Sequence, residues 1–188
     1  MRDMREALAD DLAGSFERLV ASYQDRLYSF ALRMTGNPQD AEEVTQDAFV
    51  RAYRAMQGYP PERIRTLALR SWLYQITLNL SRNRARRRRP GLVSLDEIGL
   101  RGREKLESPD HLGPNVLAER AEQREEIATA LVALPVRYRA AVVLRFVEGL
   151  RYAEIAAALG QPVGTVKANV HRGICLLRQA FQKRTGEV

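Results

Sequence analysis

Apolar residues recur along this chain every three to four positions, the spacing of a buried helix face, and the alternation of a strand is nearly absent. From Leu12 to about Thr35, Phe16, Leu19, Val20, Tyr23, Leu27, Phe30, Ala31 and Met34 fall on one stripe, closed by Gly36-Asn37-Pro38. Asn37 and Pro38 suit the N-cap and first turn of a second helix, which runs to about Met56 and turns Ala41, Val44, Ala48, Phe49, Ala52 and Tyr53 inward. Gly58-Tyr59-Pro60-Pro61 breaks it, and residues 62–70 read as a loop with a short helical turn. A third helix is expected from Ser71 to about Arg88, with Trp72, Leu73, Ile76 and Leu80 inward.

The pattern lapses at Pro90. Residues 90–116 mix Gly, Pro and charge without a period, which reads as a flexible linker. Periodicity returns near Val116 with Leu117, Ala121, Ile127, Leu131 and Leu134, closed by Pro135. Tyr138 to Val147 gives another helix carrying Ala141, Val142, Leu144 and Phe146, ended by Gly149. The expected architecture is all-α: two small helical bundles joined by a flexible linker, at residues 1–89, 90–116 and 117–188.

The second bundle ends in a helix-turn-helix pattern. Ile155, Ala156 and Leu159 make a short apolar face, Gly160 stops that helix, and Pro162 suits the first turn of the next. Val166, Val170, Ile174 and Leu177 then face inward and leave Thr165, Lys167, Ala168, His171 and Arg172 outside, where recognition helices meet base edges. An ordinary helical hairpin is the alternative; the tight glycine turn and the short-then-long pair favour a DNA reader.

Charge sharpens this picture. The 188 residues carry 30 Lys and Arg against 23 Asp and Glu, a net +7, which suits a polyanionic partner. Residues 69–90 hold seven arginines and no acid, six of them between Arg82 and Arg89. Such a patch binds a phosphate backbone without reading sequence. Gln75, Asn79, Ser81 and Asn83 set polar groups beside it that reach base edges, and Tyr59, Trp72 and Tyr74 are candidates for stacking an unpaired base. The second helix has the opposite sign in its first half, with Asp40, Glu42, Glu43 and Asp47. Those acids suit the helix dipole or a basic partner helix equally well.

Catalytic readings find little support. The two histidines, His111 and His171, sit in the linker and on the expected DNA face, and neither metal-ligand spacing nor a phosphate loop appears. No cofactor, metal or small-molecule substrate is expected. The single cysteine, Cys175, excludes an internal disulfide and reads as a buried, inert thiol. Without a signal-peptide core or an apolar run long enough to span a bilayer, the chain is expected to be soluble and cytoplasmic, without membrane insertion.

Three stretches carry a family resemblance: DAEEVTQDAFVRAYRA at 40–55, SWLYQITLNLSRN at 71–83 and PVGTVKANVHR at 162–172. In this order, split by a linker, they resemble the extracytoplasmic-function (ECF) sigma factors of bacterial RNA polymerase, over roughly residues 12–184. The resemblance implies a non-catalytic promoter-specificity subunit. It assigns Asp40, Glu43, Gln46 and Asp47 to the β′ clamp helices of the core polymerase, and a second contact to the β flap. Trp72, Asn79 and Asn83 would face the melted −10 element, with Arg82, Arg84 and Arg86 on its backbone. Thr165, Lys167, Ala168, His171 and Arg172 would read the −35 duplex. An anti-sigma factor is the implied regulator. Two departures stand out: the 56–71 segment, which would capture a flipped base, is longer than usual, and Ala168 replaces a common serine. A conventional helix-turn-helix repressor or activator, dimeric on a palindrome, is the competing reading.

Overall fold

The computed structural model describes residues 3–87 and 114–185, with side chains at 3–86 and 123–182; most of the expected linker, 90–116, with Arg88, Arg89 and His111, lies outside the described residues. Among the described residues every regular element is helical. The first half holds α1 (Met4–Asp10), α2 (Leu12–Thr35), α3 (Pro38–Gln57), α4 (Pro61–Thr66) and α5 (Leu69–Arg87). The second holds α6 (Pro114–Ala133), α7 (Val136–Val142), α8 (Tyr152–Leu159) and α9 (Val163–Thr185).

Local chemistry sets most boundaries. Asn37 accepts a hydrogen bond from the Asp40 amide at 2.9 Å, so the expected cap of α3 is formed. Asp3 and Asp11 cap α1 and α2 in the same way. The sequence pattern does not predict α1, a helix of 7 residues, because it is shorter than the roughly 11 to 18 residues over which helical periodicity is read. It forms because Leu8, 1% exposed, closes over the first core, and Asp10 pairs with Arg65 of α4 at 2.8 Å. Pro162 stands one place earlier than expected: α9 begins at Val163, and the Pro162 carbonyl accepts from the Val166 amide at 3.1 Å.

Two expected core residues are outside, for different reasons. Ile127 is 50% exposed because residues 123–127 of α6 are exposed all round, and only the last turns, with Leu131 and Leu134, reach the core. Phe146 is 62% exposed because α7 continues into a π-helical turn over Val143–Val147. The extra residue in that turn, closed by the Glu148 amide on the Val143 carbonyl at 3.0 Å, rotates position 146 off the buried face. The apolar pattern of the segment carries no mark of the insertion.

One apolar core runs through both halves. Leu73, Tyr74 and Leu78 of α5 belong to the same buried cluster as Leu131, Leu134, Ile155 and Ala158. A smaller cluster of Ala31, Leu32, Ala41, Val44, Ala48 and Leu80 joins α2, α3 and α5. Where the halves meet, the contacts turn polar. Arg139 donates to the carbonyls of Met34 (2.9 Å) and Arg33 (3.3 Å) at the end of α2, and to those of Val132 in the last turn of α6 and Leu134 (2.9 Å) just after it. A guanidinium in this position answers the exposed carbonyls of two helix ends at once. Nearby, the Tyr74 hydroxyl donates to the Glu148 carboxylate, and Arg70 donates to the Glu148 carbonyl.

Within the second half α9 lies against α7 at Gly173. A Cβ there would stand 2.5 Å from Val142 Cγ2, and Val142 is itself buried. Gly173→Ala is therefore expected to destabilise the fold by about 1–2 kcal/mol, overpacking outweighing the helix propensity that alanine returns. Thermal melts followed by circular dichroism check this; an unchanged or raised midpoint would show that the two helices separate without cost.

Candidate nucleic-acid interface

The turn between α8 and α9 is built as the sequence predicts. Glu154 accepts from the Arg151 amide at 2.8 Å and closes the start of α8. Gly160 ends that helix at φ +61°, a left-handed conformation that side chains beyond glycine rarely adopt. Asn169 donates to Gln161 at 3.0 Å and ties the turn to the body of α9.

With Val166 and Val170 buried, helix geometry puts the opposite residues on one face. Thr165, Lys167, Ala168, His171 and Arg172 are all exposed. Lys167 Nζ lies 5.8 Å from the Tyr152 ring centroid, so a cation beside the turn is partly oriented by that ring. Cys175 departs from expectation. It stands one residue off the inward stripe, is partly exposed, and has its Sγ 3.9 Å from His171 Nδ1.

The second candidate face is on α5. Asn79 and Arg86 are exposed, while Trp72, Arg82, Asn83 and Arg84 are half-buried. Trp72 stands 6.1 Å from Tyr59, ring to ring, and the Arg63 guanidinium caps Tyr59 at 3.8 Å. This layered group joins the 56–71 segment to α5; Tyr59 and Trp72 are legible as aromatics, but nothing in the sequence marks Arg63 as their partner. Arg86 donates to the Asn83 side chain, and burial holds the Arg82 guanidinium below its ordinary pKa. Tyr74 is withdrawn from the stacking candidates: it is fully buried, edge-on to Phe30 at 5.1 Å, with its hydroxyl on Glu148.

Tertiary packing joins two residue sets that the sequence keeps apart. Arg84 Nε donates to Asp40 at 2.8 Å, and a second guanidinium nitrogen pairs with Glu43. The Asp40 hydrogen bond, with Glu43 behind it, raises the Arg84 pKa. Asp40 is 3% exposed, so it serves as an internal counter-ion, whereas Gln46 and Asp47 stand in solvent and Glu43 is half-buried. A shallow depression between α3 and α5 is lined by Val44, Asp47, Arg51, Leu80, Asn83 and Arg84. Arg51 was not among the sequence candidates; its spacing of four from Asp47 reads as an ordinary helix-surface pair.

Among the described residues no group of three or more His, Cys, Asp or Glu could hold a metal ion. No described helix is long and apolar enough to cross a membrane.

Comparison with known proteins places these features in order along the chain. The Sigma-70 region 2 family matches residues 19–90, and the Sigma-70, region 4 family matches residues 124–174. The chain is 34% identical to the ECF RNA polymerase sigma factor SigW of Bacillus subtilis, over 90% of this chain and 88% of that protein. It is 37% identical to the ECF RNA polymerase sigma factor SigE of Mycolicibacterium smegmatis over 92% of this chain, a match that spans 64% of that longer protein. Among solved structures, CnrH in complex with the cytosolic domain of CnrY superposes with a TM-score of 0.67 at 25% identity, covering 96% of this chain and 99% of that one. The sigma factor RpoE bound to the anti-sigma factor NepR from Bartonella quintana shares the fold at 19% identity, with a TM-score of 0.65 over 89% and 96% of the two chains.

Proposed function

The chain belongs to the ECF sigma factors, and on that premise we propose that it binds core RNA polymerase and directs initiation at promoters whose −35 duplex and melted −10 strand it reads. The observation that carries the reading is the outer face of α9: five polar, cationic or small residues exposed together on the second helix of a helix-turn-helix, held there by buried Val166 and Val170. In this reading residues 1–89 dock the polymerase and open the −10 element, residues 117–188 read the −35 element, and residues 90–116 tether them. Two weak contacts on one leash gain affinity through effective concentration. The protein acts as a specificity subunit without chemistry of its own, and it works in the cytoplasm beside the polymerase.

The residues take the following roles. Thr165, Lys167, His171 and Arg172 meet base edges and phosphates of the −35 duplex, with Ala168 against a thymine methyl. Trp72, Asn79 and Asn83 receive unstacked bases of the −10 strand, and Arg82 and Arg86 hold its backbone. Gln46 and Asp47, with Glu43, face the clamp helices. Asp40 and Arg84 contribute from behind: their ion pair, 2.8 Å long, fixes α3 against α5 so that the polymerase face and the strand-capture face keep one geometry. Control by an anti-sigma factor is part of the proposal, supported by the likeness to CnrH, whose solved structure includes a partner's cytosolic domain.

Run-off transcription with core polymerase tests the reading. Adding the chain is expected to yield defined transcripts from promoters of its own genome that core polymerase alone does not start. A chain that forms a stable dimer, protects a palindrome without polymerase and supports no transcript would establish the repressor reading in its place.

A further inference from the structure

We propose that α1 is a brace for the strand-capture site, with Asp10 and Arg65 as positioning residues that hold α4, and with it Arg63 and Tyr59, in place beside Trp72. This rests on the reading above and adds to it an element that lies before the family match, which begins at residue 19.

The need for a brace follows from the size of α4. Its 6 residues fall well short of the roughly 12–15 that an isolated helix needs to persist in water, and Pro60 at its N-cap position supplies no side-chain cap. Tertiary contacts secure it instead. Ile64, 4% exposed, enters the first core, and the Arg63 guanidinium lies over the Tyr59 ring. Arg65 reaches Asp10 at 2.8 Å and Glu62 at 3.5 Å. Glu62 belongs to α4 itself, so the Asp10 contact is the one that ties Arg65 to another element. α1 is fixed from its own side. Asp3 caps it, Ala7 and Leu8 are buried, and the Ser15 hydroxyl of α2 donates to the Ala7 carbonyl at 3.0 Å. Lying against both α2 and α4, α1 couples the short helix to the long one.

α4 faces two ways. Arg63 and Arg65 are two residues apart, about 200° around a helix of about 3.6 residues per turn. One meets Tyr59 and the other meets α1. Tyr59 stands 6.1 Å from Trp72, and Asn79 follows Trp72 by about two turns of α5. A displacement of α4 therefore moves Arg63 and Tyr59 relative to Trp72 and Asn79, the residues assigned above to unstacked bases. A binding constellation works when its parts are held within about 0.5 Å of the productive geometry. The Asp10–Arg65 pair acts on the strand through that spacing and touches no base.

The test uses the full chain with core polymerase and two fluorescent single-stranded oligonucleotides. One carries the −10 strand of a promoter that yields transcripts in the run-off assay, and the other has the same bases permuted. Asp10→Lys sets a like charge against Arg65. The ratio of matched to permuted affinity is expected to fall about three- to fivefold, the range that exchanging an exposed ion pair for a repulsive one supports. Asp10→Lys with Arg65→Glu reverses the pair and should recover at least half of that loss on a logarithmic scale. Affinity for core polymerase and for a short −35 duplex should stay within about twofold of the parent's, which a general loss of folding would not allow. Hydrogen exchange of the free chain should quicken over residues 59–69 in Asp10→Lys and slow again in the double variant.

An unchanged ratio in Asp10→Lys at parental helix content would overturn the brace. So would an equal fall for both oligonucleotides, a fall that charge reversal does not recover, or unchanged exchange over residues 59–69. If Asp10→Lys loses helix content, Asp10→Asn is read in its place: a fall of about twofold supports the proposal, and a parental ratio overturns it. A parent that yields no transcript, or binds both oligonucleotides alike, refutes the sigma reading instead, and exchange over residues 59–69 still decides whether α1 steadies α4.

Discussion

Arg172→Ala is expected to relax discrimination between the matched −35 sequence and single-base variants by about 1–3 kcal/mol, roughly five- to 150-fold. The reason lies in where α9 puts the side chain. Buried Val170 and the tight approach of Gly173 to Val142 fix the helix on either side of position 172, so its guanidinium leaves the body on the exposed face. A planar fork at such a point reaches two acceptors of a guanine edge, and alanine at that position has no hydrogen-bonding group to replace it. Competition binding and run-off transcription at fixed salt on matched and substituted −35 sequences check the expectation. Were Arg172 a phosphate contact, affinity would fall evenly across all sequences and the salt slope would drop by about one. That outcome would move base reading to other residues of the same face.

Arg139→Met should cost about 3 kcal/mol of stability and lower the unfolding midpoint by about 6–12 °C. Methionine keeps the aliphatic stem and removes the fork. Four carbonyls at the ends of α2 and α6 then lose their donor, two of them, Met34 and Leu134, in buried bonds of 2.9 Å. Burial pushes the Arg139 pKa down to about 10, still well above neutrality, so the group that makes these bonds is a cation under ordinary conditions. Its own desolvation offsets part of their value, which keeps the expected loss near that of two charge-assisted hydrogen bonds rather than four. Differential scanning calorimetry on the full chain decides it. A midpoint within a degree or two of the parent's would show that the Arg139 hydrogen bonds add nothing to the other contacts that hold the halves.

These expectations draw unequally on what the residue pattern displays. The N-cap at Asn37, the stop at Gly160, the outward set on α9 and the inward stripes of α2, α3 and α5 all follow from local chemistry, and the fold realises them. Phe146 and Ile127 show where local chemistry ends. A π-helical turn needs one extra residue of any apolar kind, so the pattern before Gly149 looks the same with or without it. Ile127 belongs to a regular stripe, but a stripe buries only where a neighbouring helix covers it.

The candidate faces divide along the same line. The outward positions on α9 are legible because one helix and one turn orient them all. Asp40 and Arg84 are not, because they lie 44 residues apart and only the packing of α3 on α5 brings carboxylate and guanidinium together. Arg139 and Glu148 gave no signal for a related reason. Each reads as an ordinary surface charge until the opposite half of the molecule closes over it.

The residue order alone determined the long helices α2, α3, α5 and α9, the cap at Asn37, the stop at Gly160 and the exposed set on α9. Each depends on chemistry within a few positions of chain, where periodicity and capping act. Tertiary structure alone decided that the bundles close on one another, that Asp40 turns inward to Arg84, and that a tyrosine, a glutamate and two arginines meet at the seam. Those outcomes depend on which surfaces lose water together, a property that no short segment holds by itself.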